Sequence, residues 1–374
     1  MADALTIEAE RSKGDRRRFV DLPYRLNRAC PAWVPPLRMA DAAVMDARKN
    51  PFFQHAEVRH FLARRGERVV GRIAAIENRR HNEFHADRLG FFGWFDAEDD
   101  PEAARGLVDA ARRWVGERGL SGMRGPVCYS TNDVCGVLVE GFDFPPAILM
   151  PWNQRYYDGL LTGSGLVPVK DLVAYEITTA ALDLARLERV TSRALARGGY
   201  TMRQIDLSRW AAEVDLLLDL YNRTWERNWG FVPMTEAEFR HAAKDLRRII
   251  DPRIFLIVEQ AGRPVGFVGL LPDVNVALKG LDGRLLPFNV FRLMRRMKKI
   301  GRARIVMLGV LPEARGRGLD AALITTVIAR GVPVGYLDGE AGWILEDNLG
   351  MRTPIESMGS RVSKRYRLYE TPPV

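Results

Sequence analysis

Two stretches of the chain share one hydrophobic pattern. In 61–76, two runs of alternating apolar and polar residues flank a polar turn, which predicts a β-hairpin. The stretch 255–271 repeats the pattern, with its opening Phe-Leu pair at an offset of 194 residues. Four residues near the end of each half are identical at the same offset of 194. They are Gly165, Lys170, Tyr175 and Glu176 in the first half, and Gly359, Lys364, Tyr369 and Glu370 in the second. Two repeats at nearly one spacing predict a duplicated domain, divided into 1–180 and 181–374.

Each half has the same predicted order of elements: a helical region, the hairpin, a strand, an amphipathic helix, a strand, a short helix and a closing strand. The amphipathic helix is predicted over 101–118 in the first half, with a proline in its first turn, and over about 319–330 in the second. This order predicts an α/β chain, mixed α+β in detail, with two tandem domains that each have a mixed central sheet flanked by helices.

Composition and charge narrow the classes of protein. A chain of 374 residues is longer than one ordinary hydrophobic core holds. Its composition, 47% hydrophobic and 28% charged, is that of a folded protein and excludes a disordered chain. The apolar stretches are shorter than the roughly 18 residues of a transmembrane helix, and the first residues lack the apolar core of a secretory signal. We therefore expect a cytoplasmic protein. Its formal net charge of +9 favours a polyanionic partner.

Cysteine and histidine spacing gives no metal or disulfide signature. Cys30, Cys128 and Cys135 form no Cys-x-x-Cys pair, so neither a disulfide framework nor a zinc ribbon is predicted. His81 and His85 have the spacing of a metal-binding pair on a helix, but the sequence shows no third ligand. We predict no metal site.

A glycine-rich turn lies between a strand and a helix in the second half. The pattern predicts a buried strand over 306–311 and a helix over 321–328. Between them, 315–318 has the sequence Arg-Gly-Arg-Gly. Its glycines allow a close approach to an anion, its arginines add positive charge, and the first-turn amides of the helix are unpaired. The turn predicts a phosphate-binding loop, and an ordinary turn is the alternative.

These motifs resemble the GNAT superfamily of acyl-CoA-dependent N-acyltransferases. The loop 315–318 is similar to its pyrophosphate-binding motif, 343–348 to its next strand with the asparagine that follows, and 364–370 to its last strand. The resemblance implies a mixed sheet that is splayed between two central strands, with the pantetheine arm of acyl-CoA in the gap. It also implies that acyl-CoA is a co-substrate and that no cofactor is bound permanently.

The resemblance further implies which residues bind acyl-CoA. Backbone groups of Leu308 and Val310 would hold the pantetheine arm and the acyl carbonyl, and Asn348 is the asparagine after the next strand. The pyrophosphate would be held by the amides of five loop residues, Arg315, Gly316, Arg317, Gly318 and Leu319. Asp320 departs from the pattern, which has a small residue there, and places an acid near the expected phosphates.

The first half has a different sequence at the corresponding place. Its stretch 91–102 contains five acids where the second half has the basic glycine turn. A diphosphate would meet repulsion there instead of amides and arginines. We therefore expect that the first half does not bind CoA and that it shapes the cleft for the acceptor.

Further motifs extend a narrower resemblance over 19–370. They include 19–24, 33–37, 50–53, 130–133 and the stretch from Met150 to Tyr157. Together they resemble the long tandem GNAT-like proteins that include bacterial ceramide synthase. This resemblance implies transfer of a long-chain acyl group from a thioester to the amine of a sphingoid base, a step of sphingolipid biosynthesis.

Transfer to an amine requires a group that accepts the proton of the amine. Glu340 and Glu346 are candidates because alternation along one strand would place both on one face, although a surface carboxylate is the alternative for each. Tyr366 is a candidate proton donor to the leaving thiolate, and otherwise a core aromatic. Polar residues of the first half are candidates for binding the acceptor, namely Asn132, Asp133, Asn153 and Tyr156.

The segment 285–300 is basic and amphipathic. It has five bases and no acid from Arg292 onward, and its apolar residues fall on one helical face, namely Leu286, Val290, Leu293, Met297 and Ile300. Such a helix is typical of a membrane-surface contact, so we expect peripheral association with the inner membrane through this segment. The alternative is a helix that packs on the sheet and exposes its basic face to solvent.

Three functions remain open. The first is an N-acyltransferase that uses acyl-CoA, with a sphingoid base as the most specific acceptor. The second is a GNAT-like aminoacyl transferase of peptidoglycan bridge synthesis, which uses charged tRNA and needs no intact diphosphate loop. The third is a noncatalytic acyl-CoA-binding sensor. The loop 315–318 favours the first over the second, and no motif indicates a nucleic-acid partner.

Overall fold

The computed structural model describes residues 3–372, and packing divides the chain into two compact units. The first unit contains the described residues of Met1–Leu172, Leu278–Asn289 and Lys364–Val374. The second unit contains Val173–Ala277 and Val290–Ser363. The last segment of the chain therefore belongs to the first unit, although it ends the second half of the sequence.

Strands and helices alternate along the first half of the chain. In order they are β1 (Leu5–Ala9), α1 (Lys13–Leu26), α2 (Arg38–Val44), β2 (Ala56–Arg65), β3 (Arg68–Asn78), α3 (Arg79–His85), β4 (Leu89–Ala97), α4 (Pro101–Glu117), β5 (Gly122–Gly125), β6 (Val137–Glu140), α5 (Tyr157–Gly163) and β7 (Val167–Thr178). The hairpin of β2 and β3 is the one that the first hydrophobic pattern predicts.

The second half continues with the elements α6 (Leu184–Gly198), β8 (Tyr200–Gln204), α7 (Trp210–Trp225), α8 (Glu236–Leu246), β9 (Phe255–Gln260), β10 (Arg263–Pro272), α9 (Asn275–Leu278), α10 (Asn289–Met297), β11 (Arg302–Val310), α11 (Leu319–Gly331), β12 (Asp338–Leu345), α12 (Leu349–Ser357) and β13 (Arg361–Glu370). The second predicted hairpin is that of β9 and β10.

The first unit contains a mixed sheet. Its strands lie in the order β1-β2-β3-β4-β5, antiparallel except for the parallel pair of β4 and β5. The end of β13 adds antiparallel pairing to β5 and β6. The apolar face of α4 is buried in the core of this unit, with Leu107, Ala111, Trp114 and Val115 among its members. These residues are spaced by three and four positions, which is why this sequence forms an amphipathic helix.

The second unit also contains a mixed sheet, with helices on both faces. Strands β8 to β11 pair antiparallel in sequence order, β12 pairs parallel to β11, and β7 lies beside β12. One core packs α11 against the sheet, and a second core joins α7 and α8 to its other face. The mixed strand pairing and the flanking helices of both units confirm the predicted mixed α/β class.

The closing strand of each half contributes to the unit built mainly from the other half. From Val173 onward, β7 belongs to the second unit, where the hydroxyl of Tyr175 donates to Glu356 at 2.5 Å. From Lys364 onward, β13 belongs to the first unit, where the hydroxyl of Tyr369 donates to Asp158 at 2.5 Å. Each repeated tyrosine is thus fixed by a carboxylate of its own unit.

Helix α10 is shorter than the basic segment predicted over 285–300. Leu286 lies before it and is 80% exposed, so this residue is not part of the packed helical face that the sequence predicts. Val290, Leu293 and Met297 are half-buried, as the predicted face requires. In the described part of the chain, no helix combines the length and the apolar character that crossing a membrane requires.

Candidate active site

The parallel strands β11 and β12 separate partway along their length. Their ladder begins with Arg302 opposite Asp338 and ends with Ile305 opposite Ala341. Both strands continue beyond that point, to Val310 and to residue 345, without pairing to each other. Because they run in the same direction, the gap between them opens toward their carboxyl ends.

A β-bulge in β11 coincides with the start of this gap. Gly269 of β10 lies opposite Met307, but the next residue, Leu270, lies opposite Ile305, so Val306 is the extra residue. A bulge bends its strand and increases the local twist. The divergence of β11 from β12 therefore has a local cause in the strand itself.

The backbone of Leu308 and Val310 faces the gap. The N–H and C=O of one strand residue point to the same side, and that side alternates along the strand. Leu311 donates its amide to β10 at 2.8 Å, so Val310 and Leu308 point away from β10. Consistent with this, Trp225 Nε1 donates to the carbonyl of Leu308 at 3.0 Å and Arg315 Nε donates to that of Val310 at 3.0 Å. The amides of Leu308 and Val310 point in the direction that a pantetheine contact requires.

The loop after β11 leads into α11, whose N-terminus has no side-chain cap. Gly316 and Gly318 have φ values of 72° and 74°, in the left-handed region that favours glycine. A Cβ at either position would meet no atom within 4 Å, so backbone conformation requires the glycines and crowding does not. Gly318 is the N-cap of α11 and provides no side-chain cap. No side chain therefore caps the first-turn amides, and an uncapped helix N-terminus is the kind of place where proteins bind anions.

The two arginines of the loop have different contacts. Arg315 donates to the carbonyls of Val310 at 3.0 Å and Thr224 at 2.7 Å, and its own amide donates within the loop at 3.3 Å. Arg315 thus fixes the loop to β11 and α7, and its amide is less available than the sequence suggests. Arg317 is exposed and donates to the hydroxyl of Tyr200 at 2.9 Å.

Asp320 follows this loop in the first turn of α11. Burial raises the pKa of its carboxyl above the ordinary value, while its own backbone N–H and the charge of Arg315 act in the opposite direction. The acid that departs from the family pattern is therefore half-buried and close to a cation. Its charge adjoins the uncapped amides.

Glu340 is fully buried in β12 beside a shared arginine. Its Oε2 lies 3.8 Å from Nη2 of Arg302, and Nε of the same arginine lies 3.4 Å from Oδ2 of Asp273. Arg302 forms a bidentate pair with Glu176, with Nη2 at 2.7 Å from Oε2. Burial disfavours the charged guanidinium, but the pair with Glu176 raises the pKa of Arg302 overall. Three carboxylates therefore surround one cation at the start of β11.

Glu340 faces away from α11. Ile305 and Ala341 belong to the core on the α11 side, and side chains alternate along a strand, so Arg304 and Glu340 point to the face covered by α7 and α8. Arg304 Nε donates to the carbonyl of Gly342 at 2.9 Å, directly beyond the last paired residues. The guanidinium bridges the two strands where they begin to separate.

Glu346 and Asn348 lie beyond the end of β12. The alternation that would place Glu346 on the same face as Glu340 is broken inside β12, because Ala341 and Ile344 both belong to the core on the α11 side. The predicted shared strand face therefore does not form. Asn348 is the N-cap of α12, and its Oδ1 accepts the amide of Met351 at 3.2 Å. Its side chain therefore has a structural role at the same edge of the sheet as the loop.

The remaining candidates belong to the first unit. Tyr366 is fully buried in β13, opposite Leu138 of β6. Asn153 uses its side-chain amide as a strand would, because it accepts the amide of Leu138 at 2.7 Å and donates to its carbonyl at 3.1 Å. Tyr156 donates to the carbonyl of Ala97 at 3.0 Å, and burial raises its pKa to about 12. Asn153 and Tyr156 hold the first unit together in this structure.

Asn132 and Asp133 lie in a turn after β5. The hydroxyl of Ser130 donates to Oδ2 of Asp133 at 3.0 Å and accepts the amide of Asn132 at 3.1 Å. This organises the turn while Asp133 stays exposed. Of the four predicted acceptor residues, Asp133 is exposed, Asn132 and Tyr156 are half-buried, and Asn153 is buried.

Sequence reasoning missed two features of the gap. The contact of Trp225 with Leu308 joins residues 83 positions apart and leaves no local signal. The contacts of Arg302 and Arg304 did have a signal in the sequence. Both arginines lie just before the stretch 306–311 that is predicted as a buried strand, and a buried arginine requires a buried partner. Among residues 3–372, no group of three His, Cys, Asp or Glu side chains is arranged to hold a metal ion.

Comparison with known proteins identifies the class. The acetyltransferase (GNAT) family model matches residues 214–351, which include the loop and the gap. A tandem GNAT protein from the clavulanic acid biosynthesis pathway has a TM-score of 0.57 at 13% identity, over 98% of each chain. That level of identity supports the fold alone. The chain belongs to the GNAT family, and it is an acyl-CoA-dependent N-acyltransferase.

Two relatives are similar over nearly the whole chain. Bacterial ceramide synthase of Caulobacter vibrioides (strain NA1000 / CB15N) is 38% identical, over 98% of this chain and 97% of that protein. Protein YghO of Escherichia coli (strain K12) is 33% identical, over 96% of this chain and 93% of that protein. The tandem GNAT resemblance of the sequence is thereby confirmed over both halves.

Proposed function

We propose that this protein transfers a long-chain acyl group from acyl-CoA to the amino group of a sphingoid base. The observation that carries acyl transfer is the gap between β11 and β12, which opens beside the uncapped N-terminus of α11. The sphingoid acceptor is supported by the name of the relative that is 38% identical over 98% of the chain. The product is an N-acyl sphingoid base.

In this proposal the two ends of acyl-CoA bind different parts of the second unit. The pyrophosphate binds the amides of 316–319 at the start of α11. From there the pantetheine arm extends back along β11, and its polar groups bond to the amides of Val310 and Leu308. The indole of Trp225 already donates to the carbonyl of Leu308 at 3.0 Å, so this tryptophan closes the α7 side of the gap.

We infer that Glu340 takes the proton of the amine. The arm runs from the carboxyl ends of the strands toward Ile305, so the thioester lies near the place where the strands meet. Glu340 precedes Ala341, the last paired residue of β12, and faces the α7 side. Arg302 lies 3.8 Å from its Oε2 and orients the carboxylate. Glu346 lies beyond the strand end, nearer to the loop.

The reaction then balances without a covalent enzyme intermediate. The neutral amine attacks the thioester carbonyl carbon, so a C–N bond forms and the C–S bond breaks. One amine proton goes to Glu340, the CoA thiolate leaves with the electron pair of the C–S bond, and it takes up one proton from water, to which Glu340 later returns its own. The amide of Leu308 or Val310 stabilises the oxyanion of the tetrahedral intermediate. Tyr366 as the donor to the thiolate remains a prediction, as do Asn132, Asp133, Asn153 and Tyr156 as acceptor contacts.

The test is acyl transfer by the purified protein. Palmitoyl-CoA and acetyl-CoA are each incubated with a panel of amines that includes sphinganine and 3-oxosphinganine, while thiol release and N-acyl products are followed by mass spectrometry. The proposal expects an amide from palmitoyl-CoA and a sphingoid base. An amide from acetyl-CoA and a polar amine alone would overturn the sphingoid acceptor. Acyl-CoA binding without turnover would indicate a sensor, and product from aminoacyl-tRNA alone would indicate peptidoglycan bridge synthesis.

We also propose that the protein associates with the inner membrane through the segment 285–300. A sphingoid base has a long apolar chain and resides in a bilayer, so an enzyme that acylates it gains from being at the bilayer surface. The segment contains α10, and the bases of α10 and the residues after it suit an anionic leaflet.

A further inference from the structure

The outward face of α10 differs from the face that the sequence predicts as apolar. Val290, Leu293 and Met297 are half-buried, and Arg296 Nη1 donates to the carbonyl of Ala277 in α9 at 3.3 Å. These contacts turn the sequence-predicted apolar face toward the protein. The opposite face is therefore the one available to a partner.

That outward face carries large apolar side chains. Phe291 is 69% exposed and Met294 is 61% exposed. They are three residues apart, so they project from neighbouring turns on one side of the helix. A phenylalanine with this exposure leaves much apolar area in water, which is the property of a contact surface.

This face and the turn that directly follows the helix at Met297 are strongly basic. Arg292, Arg295, Lys298 and Lys299 are all exposed, and within the described residues no carboxylate lies within ion-pair distance of any of them. The chain has no acid between Asp282 and Glu313. The cations of this face are therefore not neutralised by the protein itself. We call Phe291, Arg292, Met294, Arg295, Lys298 and Lys299 the α10 surface.

We propose that the α10 surface docks the protein on an anionic lipid bilayer. Phe291 and Met294 insert into the interfacial region, while the bases bind lipid phosphates. The charge of the surface identifies this partner. Four cations without carboxylate partners are complementary to an anionic leaflet, whereas exposed apolar side chains alone would not distinguish a bilayer from a protein. The inference deepens the proposed function, since it gives the enzyme a place where a membrane-resident amine is available.

The test is co-sedimentation of the full-length protein with vesicles, without substrates. Vesicles of phosphatidylglycerol with phosphatidylcholine are expected to bind it, and vesicles of phosphatidylcholine alone to bind it much more weakly. Added salt weakens the binding because it screens the charges. This experiment measures binding and not acyl transfer. A failure of docking can therefore be distinguished from a failure of the proposed function, which the acyl-transfer assay tests.

Variants assign the binding to the α10 surface. F291D/M294D is expected to lower vesicle affinity by about tenfold or more, because it removes two insertable side chains and adds two acids. The matched apolar control is V190D on α6, where Val190 is 60% exposed, and it is expected to bind normally. K298E/K299E is expected to lower affinity as strongly, and K244E/R248E, the same charge change near the end of α8, to lower it far less.

Three results would overturn the docking proposal. The first is equal binding of wild-type protein to neutral and anionic vesicles. The second is a loss of binding in V190D or K244E/R248E as large as in the α10 variants. The third is retention on an acidic acyl-carrier protein without vesicle binding, which would assign the surface to a protein partner instead. Circular dichroism and transfer between short water-soluble substrates verify that each α10 variant is folded and active.

Discussion

The two units lead a strand into a helix in the same way but treat the helix start differently. In the first unit β4 leads into α4, whose N-cap Asp100 accepts the amide of Ala103 at 3.1 Å. Pro101 follows and has no amide to offer. Arg65 pairs with Asp100 at 2.8 Å, and this pair, together with the backbone bonds, lowers the pKa of the Asp100 carboxyl. The first unit therefore carries its own anion at the helix start.

In the second unit β11 leads into α11 through the loop 311–318. Gly318 occupies the N-cap position that Asp100 occupies in the first unit, and it contributes neither a charge nor a side-chain acceptor. The helix dipole is present in both units, but only α11 leaves its first-turn amides for an external anion. One topological position is therefore capped by the protein itself in one unit and left uncapped in the other, where we propose that acyl-CoA binds.

The largest expected effect on this comparison of the two helix starts is that of a substitution at Gly318. Gly318→Trp places a large side chain over the uncapped amides at a φ of 74°, so we expect acyl-CoA affinity to fall by about a thousandfold. Isothermal titration with a nonhydrolysable acyl-CoA measures the effect. Gly335→Trp is the matched control, because Gly335 is exposed, has a φ of 99° and lies in the same unit. Similar losses in both variants would mean that strain, and not occlusion of the loop, lowers affinity.

The chemistry at the gap predicts the next largest effect. Glu340→Gln keeps the shape of the side chain but removes the base, so we expect kcat to fall by about a hundredfold or more with little change in acyl-CoA affinity. Glu346→Gln is expected to change kcat by less than about threefold, because that residue lies beyond β12. The reverse order of effects would transfer the proton acceptor to Glu346.

A pH profile separates catalysis from structure at Glu340. Loss of a general base removes the acidic limb of kcat, whereas loss of an ion pair with Arg302 changes stability and leaves that limb in place. Arg302 keeps Glu176 and Asp273 as partners in Glu340→Gln, so the free energy of unfolding should change little. Thermal unfolding of the variant checks this expectation.

The first unit allows the converse experiment at Asp100. Asp100→Ala removes the cap of α4 and the pair with Arg65, and we expect a loss of about 1–2 kcal/mol in the free energy of unfolding. Acyl-CoA affinity should not change, because we propose that the diphosphate binds at the start of α11 and not at this helix start. Urea unfolding followed by circular dichroism measures the first quantity, and titration with acyl-CoA measures the second. A large loss of acyl-CoA affinity would contradict the division of roles.

The sequence predicts the local parts of this comparison well. The glycines of 315–318 and the acids of 91–102 are adjacent in the chain, so their effect on an anion can be inferred from residue types. The two hairpins follow from alternation over short distances for the same reason. Each of these features depends on contacts within one or two turns of the backbone.

The parts that the sequence does not predict depend on distant contacts. The ion pair of Arg302 with Glu176 joins residues 126 positions apart, and Trp225 reaches Leu308 only after α7 packs on β11. The shared face predicted for Glu340 and Glu346 fails because β12 loses its alternation between Ala341 and Ile344, which both face α11, and ends before Glu346. A strand end depends on neighbouring strands, which hydrophobic alternation alone does not specify. The outward face of α10 was missed for the same reason.

The smallest expected effect is that of Asp320, the acid beside the loop. Because burial raises its pKa, its carboxyl takes up a proton at a higher pH than an ordinary aspartate, and its repulsion of the diphosphate weakens as the pH falls through that raised pKa. Asp320→Asn removes the charge at every pH. We expect acyl-CoA to bind the variant roughly threefold more tightly at neutral pH, and the ratio of the two affinities to approach one in acid.

The ratio is the informative quantity, because the phosphates of acyl-CoA titrate equally with both proteins. Isothermal titration over a series of pH values at constant ionic strength measures it. A ratio that stays constant with pH would mean that Asp320 acts through the packing of α11 and not through its charge. A ratio that falls toward one in acid would explain how a GNAT loop tolerates an acid at this position: Arg315 and partial burial moderate the charge, and the amides of Gly316 to Leu319 keep their anion.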